Sequence, residues 1–162
     1  MATNLTGKVA LVTGATAGIG EVTARELARM GATVVGIGRN PQKCADVAAS
    51  IRSQTGNQAV EYLVADLSSM HEIIRVTDEF RSKYQRLDLL INNAGAYFQQ
   101  HKVSVDGFEM TFALNHMNYF LVTRQLLDML KANAPSRIVN VASAAHTAGK
   151  LDFADLQMTL KY

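Results

Sequence analysis

Residues Thr13–Glu21 read TGATAGIGE, directly after the apolar run KVALVT at Lys8–Thr13. A buried-type run that ends in glycines and passes straight into an amphipathic segment reads as strand, turn and helix. Gly14 permits a sharp turn, Gly18 lets a phosphate approach the backbone, and Gly20 lets the helix pack against the strand. The free N–H groups and positive dipole end of such a helix would hold a pyrophosphate along Gly14–Gly20, with Thr16, Ala17 and Ile19 between the glycines. The spacing is G-x-x-x-G-x-G, so it is neither the G-x-G-x-x-G fingerprint nor a P-loop, because no Gly-Lys-Ser/Thr follows. A tight connection without a ligand is the structural alternative, and the position after a first strand argues against it.

Outward from this turn the chain alternates. ATVVGIG (Ala32–Gly38), AVEYLVAD (Ala59–Asp66), LDLLINN (Leu87–Asn93) and RIVNVAS (Arg137–Ser143) are rich in Val, Ile and Leu. Several run nearly without polar interruption, as strands buried on both faces do. Between them lie helical periods. Ile19, Val22, Leu27 and Met30 are expected to share one face. Asn40-Pro41 reads as an N-cap followed by proline at the first helical position, opening a helix to about Ser53. Ser68 or Ser69 opens the third helix, with Ile73, Val76 and Phe80 along it. Val105–Leu130 is too long for one certain uninterrupted helix. Repeated strand–helix–strand units predict an α/β fold, a doubly wound parallel sheet with right-handed crossovers. Its ligand would lie at the carboxyl ends of the strands. One domain over residues 1–162 is expected, ending after the fifth strand.

Of the 162 residues, 48% are apolar and 19% charged, the balance of a globular domain. A net charge of +2 provides no field for nucleic acid. The start MATNLTGKVALV shows no charged region followed by a long apolar run, and the lone Cys44 permits a reducing compartment, so no signal peptide or membrane anchor and a cytoplasmic location are expected. Cys44 reads as a buried small residue, and Met110, Met117 and Met129 read as core. His71, His101 and His116 lack metal-ligand spacing, so no metal is expected.

The pattern met by Thr13, Gly14, Gly18 and Gly20 resembles that of the short-chain dehydrogenase/reductase family. Asp66-Leu67, NNAG at Asn92–Gly95 and IVNVAS ending at Ser143 follow in the family's order. The stretches LNHMNYFLVT and VASAAHTAGKLDFADL are most similar to the retinol dehydrogenase and WW-domain oxidoreductase branch. This resemblance implies a Rossmann-type fold and hydride transfer between a nicotinamide and a small-molecule carbonyl or alcohol. By resemblance, Asp66 and Leu67 would contact the adenine, and Asn93, Ala94 and Gly95 would line the nicotinamide ribose. Asn92 is expected to bond a neighbouring strand instead. After the second strand, Gly38 stands where an acid selective for NAD usually falls, and Arg39 and Asn40 follow. A guanidinium with no carboxylate nearby in sequence favours a 2′-phosphate, so NADP(H) is the expected cofactor. Ala17 occupies a position where many NADP-preferring relatives are basic.

Family catalysis uses a Ser, a Tyr whose pKa is lowered by a Lys, and an Asn in the proton relay. Ser143 matches the serine and Asn115 the relay Asn; a strand-ending serine and a helix-kink asparagine are the structural alternatives. Tyr62, Tyr84, Tyr97 and Tyr119 are excluded by position. Tyr162 has no residue after it, and Lys161 precedes it, so the Tyr-x-x-x-Lys pair is expected beyond Tyr162. Two readings stand: an oxidoreductase represented by its cofactor-binding portion, or a non-catalytic NADP(H)-binding sensor or interaction module. A homo-oligomer is left open. A serine hydrolase built on Ser143, His146 and Asp152 or Asp155 lacks a G-x-S-x-G elbow.

Overall fold

The computed structural model describes residues 4–160 and 162; Lys161 lies outside the described residues. Val9–Thr13 forms β1, buried along its whole length. Thr33–Gly38 (β2), Val60–Val64 (β3), Leu89–Asn92 (β4) and Arg137–Asn140 (β5) complete one parallel sheet in the order β3-β2-β1-β4-β5. The order reverses between β1 and β4, which creates the crevice at their carboxyl ends. Central strands are covered on both sides, whereas the edge strand β5 is exposed throughout, with Ile138 and Val139 both near 40% exposed.

Alternation along the strands divides the core in two. Leu11, Val35, Ile37 and Leu90 face α3 (Met70–Lys83) and α5 (Asn118–Ala132), meeting Ile73, Val76, Phe80, Val122 and Leu126. Val12, Val34, Val60 and Ile91 face the other way, toward α1 (Gly18–Arg29) and α2 (Pro41–Thr55), meeting Ala24, Ala28 and Ile51. The expected apolar face of α1 is corrected here. Gly20, Ala24 and Ala28 are its buried residues, while Ile19 is 67% and Val22 45% exposed. Small residues four apart let the helix backbone lie close to the sheet, and large ones on that face would hold it away.

Two expected caps are present. Asn40 accepts from the Lys43 N–H at 2.9 Å, and Ser69, rather than Ser68, accepts from Glu72 N–H. The segment expected to be helical from Val105 starts only at Met110. Residues 103–109 form a turn closed by a Val103–Glu109 bridge, and the Glu109 carboxylate accepts from Thr111 and Phe112 N–H. The helix then passes through α4 (Met110–Phe112), a π-helical turn at Ala113–Met117 and α5. Among the described residues no helix is long and apolar enough to cross a membrane.

At the opposite end of the sheet, buried Asp88 binds Lys8 Nζ at 2.9 Å, the Val9 N–H at 2.9 Å and the Arg86 guanidinium at 2.6 and 2.8 Å. Burial pushes its pKa up, but these donors outweigh it and hold the carboxyl at about 2, against an ordinary 3.8. A depressed folded-state pKa contributes stability above the unfolded value that is lost as pH falls through the folded one. The loss should therefore run from about pH 4 down through about pH 2, and amount to roughly 1–2 kcal/mol. Asp88→Asn should lower the urea midpoint at pH 7 and flatten the acid limb of stability; an acid limb like that of the unsubstituted protein would refute this role.

Candidate dinucleotide cleft

A cleft of about 720 Å³ opens above the carboxyl ends of β1–β4. Its walls come from four successive strand exits: the glycine turn after β1, Gly38 and Arg39 after β2, Ala65–Ser68 after β3, and Asn93–Ala96 after β4. Residues far apart in sequence meet here because all four strands are parallel and end together.

The glycine turn is built by close approach. A Cβ on Gly14 would stand 2.7 Å from Ala94 Cα, and one on Gly20 would overlap both the Gly14 carbonyl and the Asn93 amide. Thus Gly20 admits the β4 exit loop, not only the helix. Open space lies in front of Gly18, where a Cβ would touch nothing within 4 Å. Helix α1 starts without a side-chain cap, because its N-cap is Ala17. Among the described residues, the N–H groups of Thr16, Gly18, Ile19 and Gly20 find no acceptor. A run of orphan donors at a helix N-terminus, facing open space, suits an anion.

Thr13, fully buried, ties this turn to β4. Its hydroxyl accepts from Asn93 N–H at 2.9 Å and Ala94 N–H at 3.0 Å. The Asn93 amide donates to Thr13 O at 2.9 Å and Gly14 O at 3.2 Å. The Asn93 side chain is therefore committed to bracing the turn, while Ala94 and Gly95 line the cleft with backbone. Asn92 bonds Thr123 Oγ1 at 3.0 Å and Asn140 Oδ1 on β5 at 2.8 Å, matching the expectation of a neighbouring strand.

Arg39 is exposed at the cleft wall, and among the described residues it makes no ion pair or hydrogen bond. Gly38 beneath it is forced: a Cβ there would overlap Thr16 Cγ2 and stand 2.7 Å from Cys44 Sγ. Cys44 is buried, and that burial pushes its thiol up. Asn40 is absent from the cleft walls, its side-chain oxygen capping α2. Asp66 lines the cleft and accepts from the Ser68 N–H at 3.0 Å and hydroxyl at 2.7 Å through Oδ1 alone. Its Oδ2 takes no hydrogen bond among the described residues. Leu67 is buried beside it.

Asn115 sits within the π-helical turn, and its amide pairs both ways with the backbone of Ala96: Oδ1 accepts from Ala96 N–H and Nδ2 donates to Ala96 O, each at 2.9 Å. Both halves of its amide are thereby engaged. Ser143 is exposed, caps the 3₁₀ turn Ala144–Ala148 through the Ala145 N–H at 3.2 Å, and lies outside the cleft walls. His146 Nδ1 pairs with the Ser143 carbonyl oxygen at 2.6 Å rather than with its hydroxyl, which leaves no triad. Tyr162 places its hydroxyl on Phe98 O at 2.7 Å and on Glu109 Oε1 at 3.2 Å. Phe98, Lys102, Met110, Leu114 and Val141 also line the cleft. Sequence reasoning missed them, and it assigned Met110 to the core because its helical spacing cannot distinguish a core wall from a cleft wall. Met129 does pack against the core. Among the described residues no group of three or more His, Cys, Asp or Glu is placed to hold a metal ion.

The family model of the short chain dehydrogenases matches residues 8–154. Retinol dehydrogenase 13 of Homo sapiens is 46% identical over 157 residues, covering 96% of this chain and 47% of that protein. Retinol dehydrogenase 11 of Homo sapiens is also 46% identical, over 153 residues, covering 94% and 48%. The Pseudomonas aeruginosa RhlG/NADP active-site complex superposes with a TM-score of 0.76 at 33% identity, covering 95% of this chain and 61% of that one. The chain spans about half the length of the curated relatives it matches. A parallel sheet reversing at β1 and β4, a glycine turn braced by Thr13 and Asn93, and a match over residues 8–154 place this chain in the short-chain dehydrogenase/reductase family, in its retinol dehydrogenase-like branch.

Proposed function

We propose that residues 1–162 form the NADP(H)-binding portion of an oxidoreductase acting on a carbonyl or alcohol. The observation that carries this reading is the set of N–H groups without an acceptor among the described residues, those of Thr16, Gly18, Ile19 and Gly20, at the edge of a cleft that also holds Arg39, unpaired among the same residues. The N–H row fits a pyrophosphate, and the guanidinium fits a 2′-phosphate through its planar fork of donors. Asp66 Oδ2 is free to accept from an adenine amino group. The bound cofactor would supply or accept a hydride. On the protein side, Ala94 and Gly95 shape the nicotinamide end, and Asn115 holds that wall by clamping Ala96. By resemblance Ser143, which lies outside the cleft walls and accepts from the Ala145 N–H, would orient the substrate oxygen through its hydroxyl.

Phe98, Met110 and Leu114 add apolar wall to a cleft that Lys102 also lines, and this apolar part suits an apolar substrate. The retinol of the relatives' names makes retinaldehyde the first carbonyl to try. Titration of the purified protein with NADPH and NADH should show clear preference for NADPH. Carbonyl-dependent loss of NADPH absorbance then separates the oxidoreductase from a binding module. Equal affinity for the two nucleotides would remove the assignment of Arg39.

A further inference from the structure

We infer that Tyr62, on β3 and outside the cleft walls, is a positioning residue that aims the pyrophosphate-binding turn. This inference rests on the dinucleotide reading above. Tyr62 pairs in register with Gly36 of β2, and a Cβ on Gly36 would overlap the tyrosine ring. The missing side chain lets the ring lie across β2, and its hydroxyl reaches the Ala15 carbonyl in the turn after β1 at 2.8 Å. A side chain on the third strand thereby holds a peptide that follows the first. The same residue is held from the other side, where Ala15 N–H donates to Ile37 O at 3.1 Å, and Ala15 is fully buried.

The consequence follows from peptide planarity. In a trans peptide the C=O and the following N–H point in opposite directions. Drawing the Ala15 carbonyl toward Tyr62 turns the Thr16 N–H the other way. Thr16 lines the cleft, and its N–H is the first of the donors that find no acceptor among the described residues. Burial, with the nearby Glu21 and Cys44, pushes the Tyr62 phenol well up, so it remains a donor throughout the working pH range.

The test is Tyr62→Phe, which keeps the ring over Gly36 and removes only the hydroxyl. Two ligands are titrated into both proteins: NADPH, and adenosine 2′-monophosphate, which has the adenine and 2′-phosphate but no pyrophosphate. Loss of one aimed hydrogen bond to a charged group should weaken NADPH about tenfold. Adenosine 2′-monophosphate should be unaffected. A general loosening of the fold would weaken both, and that outcome, like an unchanged NADPH affinity, overturns the inference. Gly36→Ala keeps the hydroxyl but displaces the ring, and should reproduce the selective loss. If the unsubstituted protein fails to bind NADPH, the dinucleotide reading itself falls. If it binds and both variants bind equally well, only the role of Tyr62 falls.

Discussion

Gly14→Ala should melt on the order of 10 °C below the unsubstituted protein and lose NADPH binding by at least about a hundredfold. Two costs combine. Gly14 has φ +64°, and a left-handed backbone costs an L-residue roughly 1–2 kcal/mol. The added Cβ would also stand 2.7 Å from Ala94 Cα and 3.1 Å from its Cβ. Ala94 is braced by Thr13 and cannot withdraw without breaking that bond, so overpacking adds roughly 1–3 kcal/mol. Gly56→Ala is the internal control. Gly56 ends α2 at φ +72°, and a Cβ there would meet no atom within 4 Å, so it carries the strain without the clash. Its cost should be about 1 kcal/mol, with NADPH affinity unchanged. Thermal melts and NADPH titrations of the two variants decide the matter. Equal losses would mean that close approach to Ala94 contributes nothing.

Arg39→Asp should shift the ratio of NADPH to NADH affinity by about two orders of magnitude toward NADH. A charge-assisted hydrogen bond to phosphate is worth roughly 1.5–3 kcal/mol, and replacing it by a carboxylate adds repulsion. Arg39→Ala should fall between. The acid belongs at 39 rather than 38, because a side chain on Gly38 would meet Thr16 and Cys44. Gly38→Asp should therefore disturb the glycine turn instead of reversing preference. Fluorescence titration with both nucleotides measures the ratio, and an unmoved ratio for Arg39→Asp would detach Arg39 from the phosphate.

Much of the frame was legible because its causes are local. Asn40-Pro41 and Ser69 start helices by capping neighbours three residues on, and the glycine turn shows its chemistry within nine residues. Long apolar runs marked β1, β2 and β4 as buried on both faces. The start of α4 was misplaced because Ser104–Glu109 folds into a turn whose pairing spans the segment expected to be helical. The packing face of α1 was misread for a different reason. Hydrophobic periodicity weights Ile19 and Val22, whereas close approach to the sheet selects Gly20, Ala24 and Ala28.

By itself, then, the sequence determined the alternation of strands and helices, the glycine turn and the order in which site residues follow their strands. Those features depend on neighbours in the chain. The tertiary structure alone decided that Asn93 braces Gly14, that Asn115 clamps Ala96, that Gly38 excludes an acid and that Tyr62 reaches Ala15 over Gly36. Each of these depends on a contact between segments distant in the chain, or across an intervening strand. Side-chain direction and the space left by a missing Cβ govern such contacts, and neither is set until the sheet has assembled.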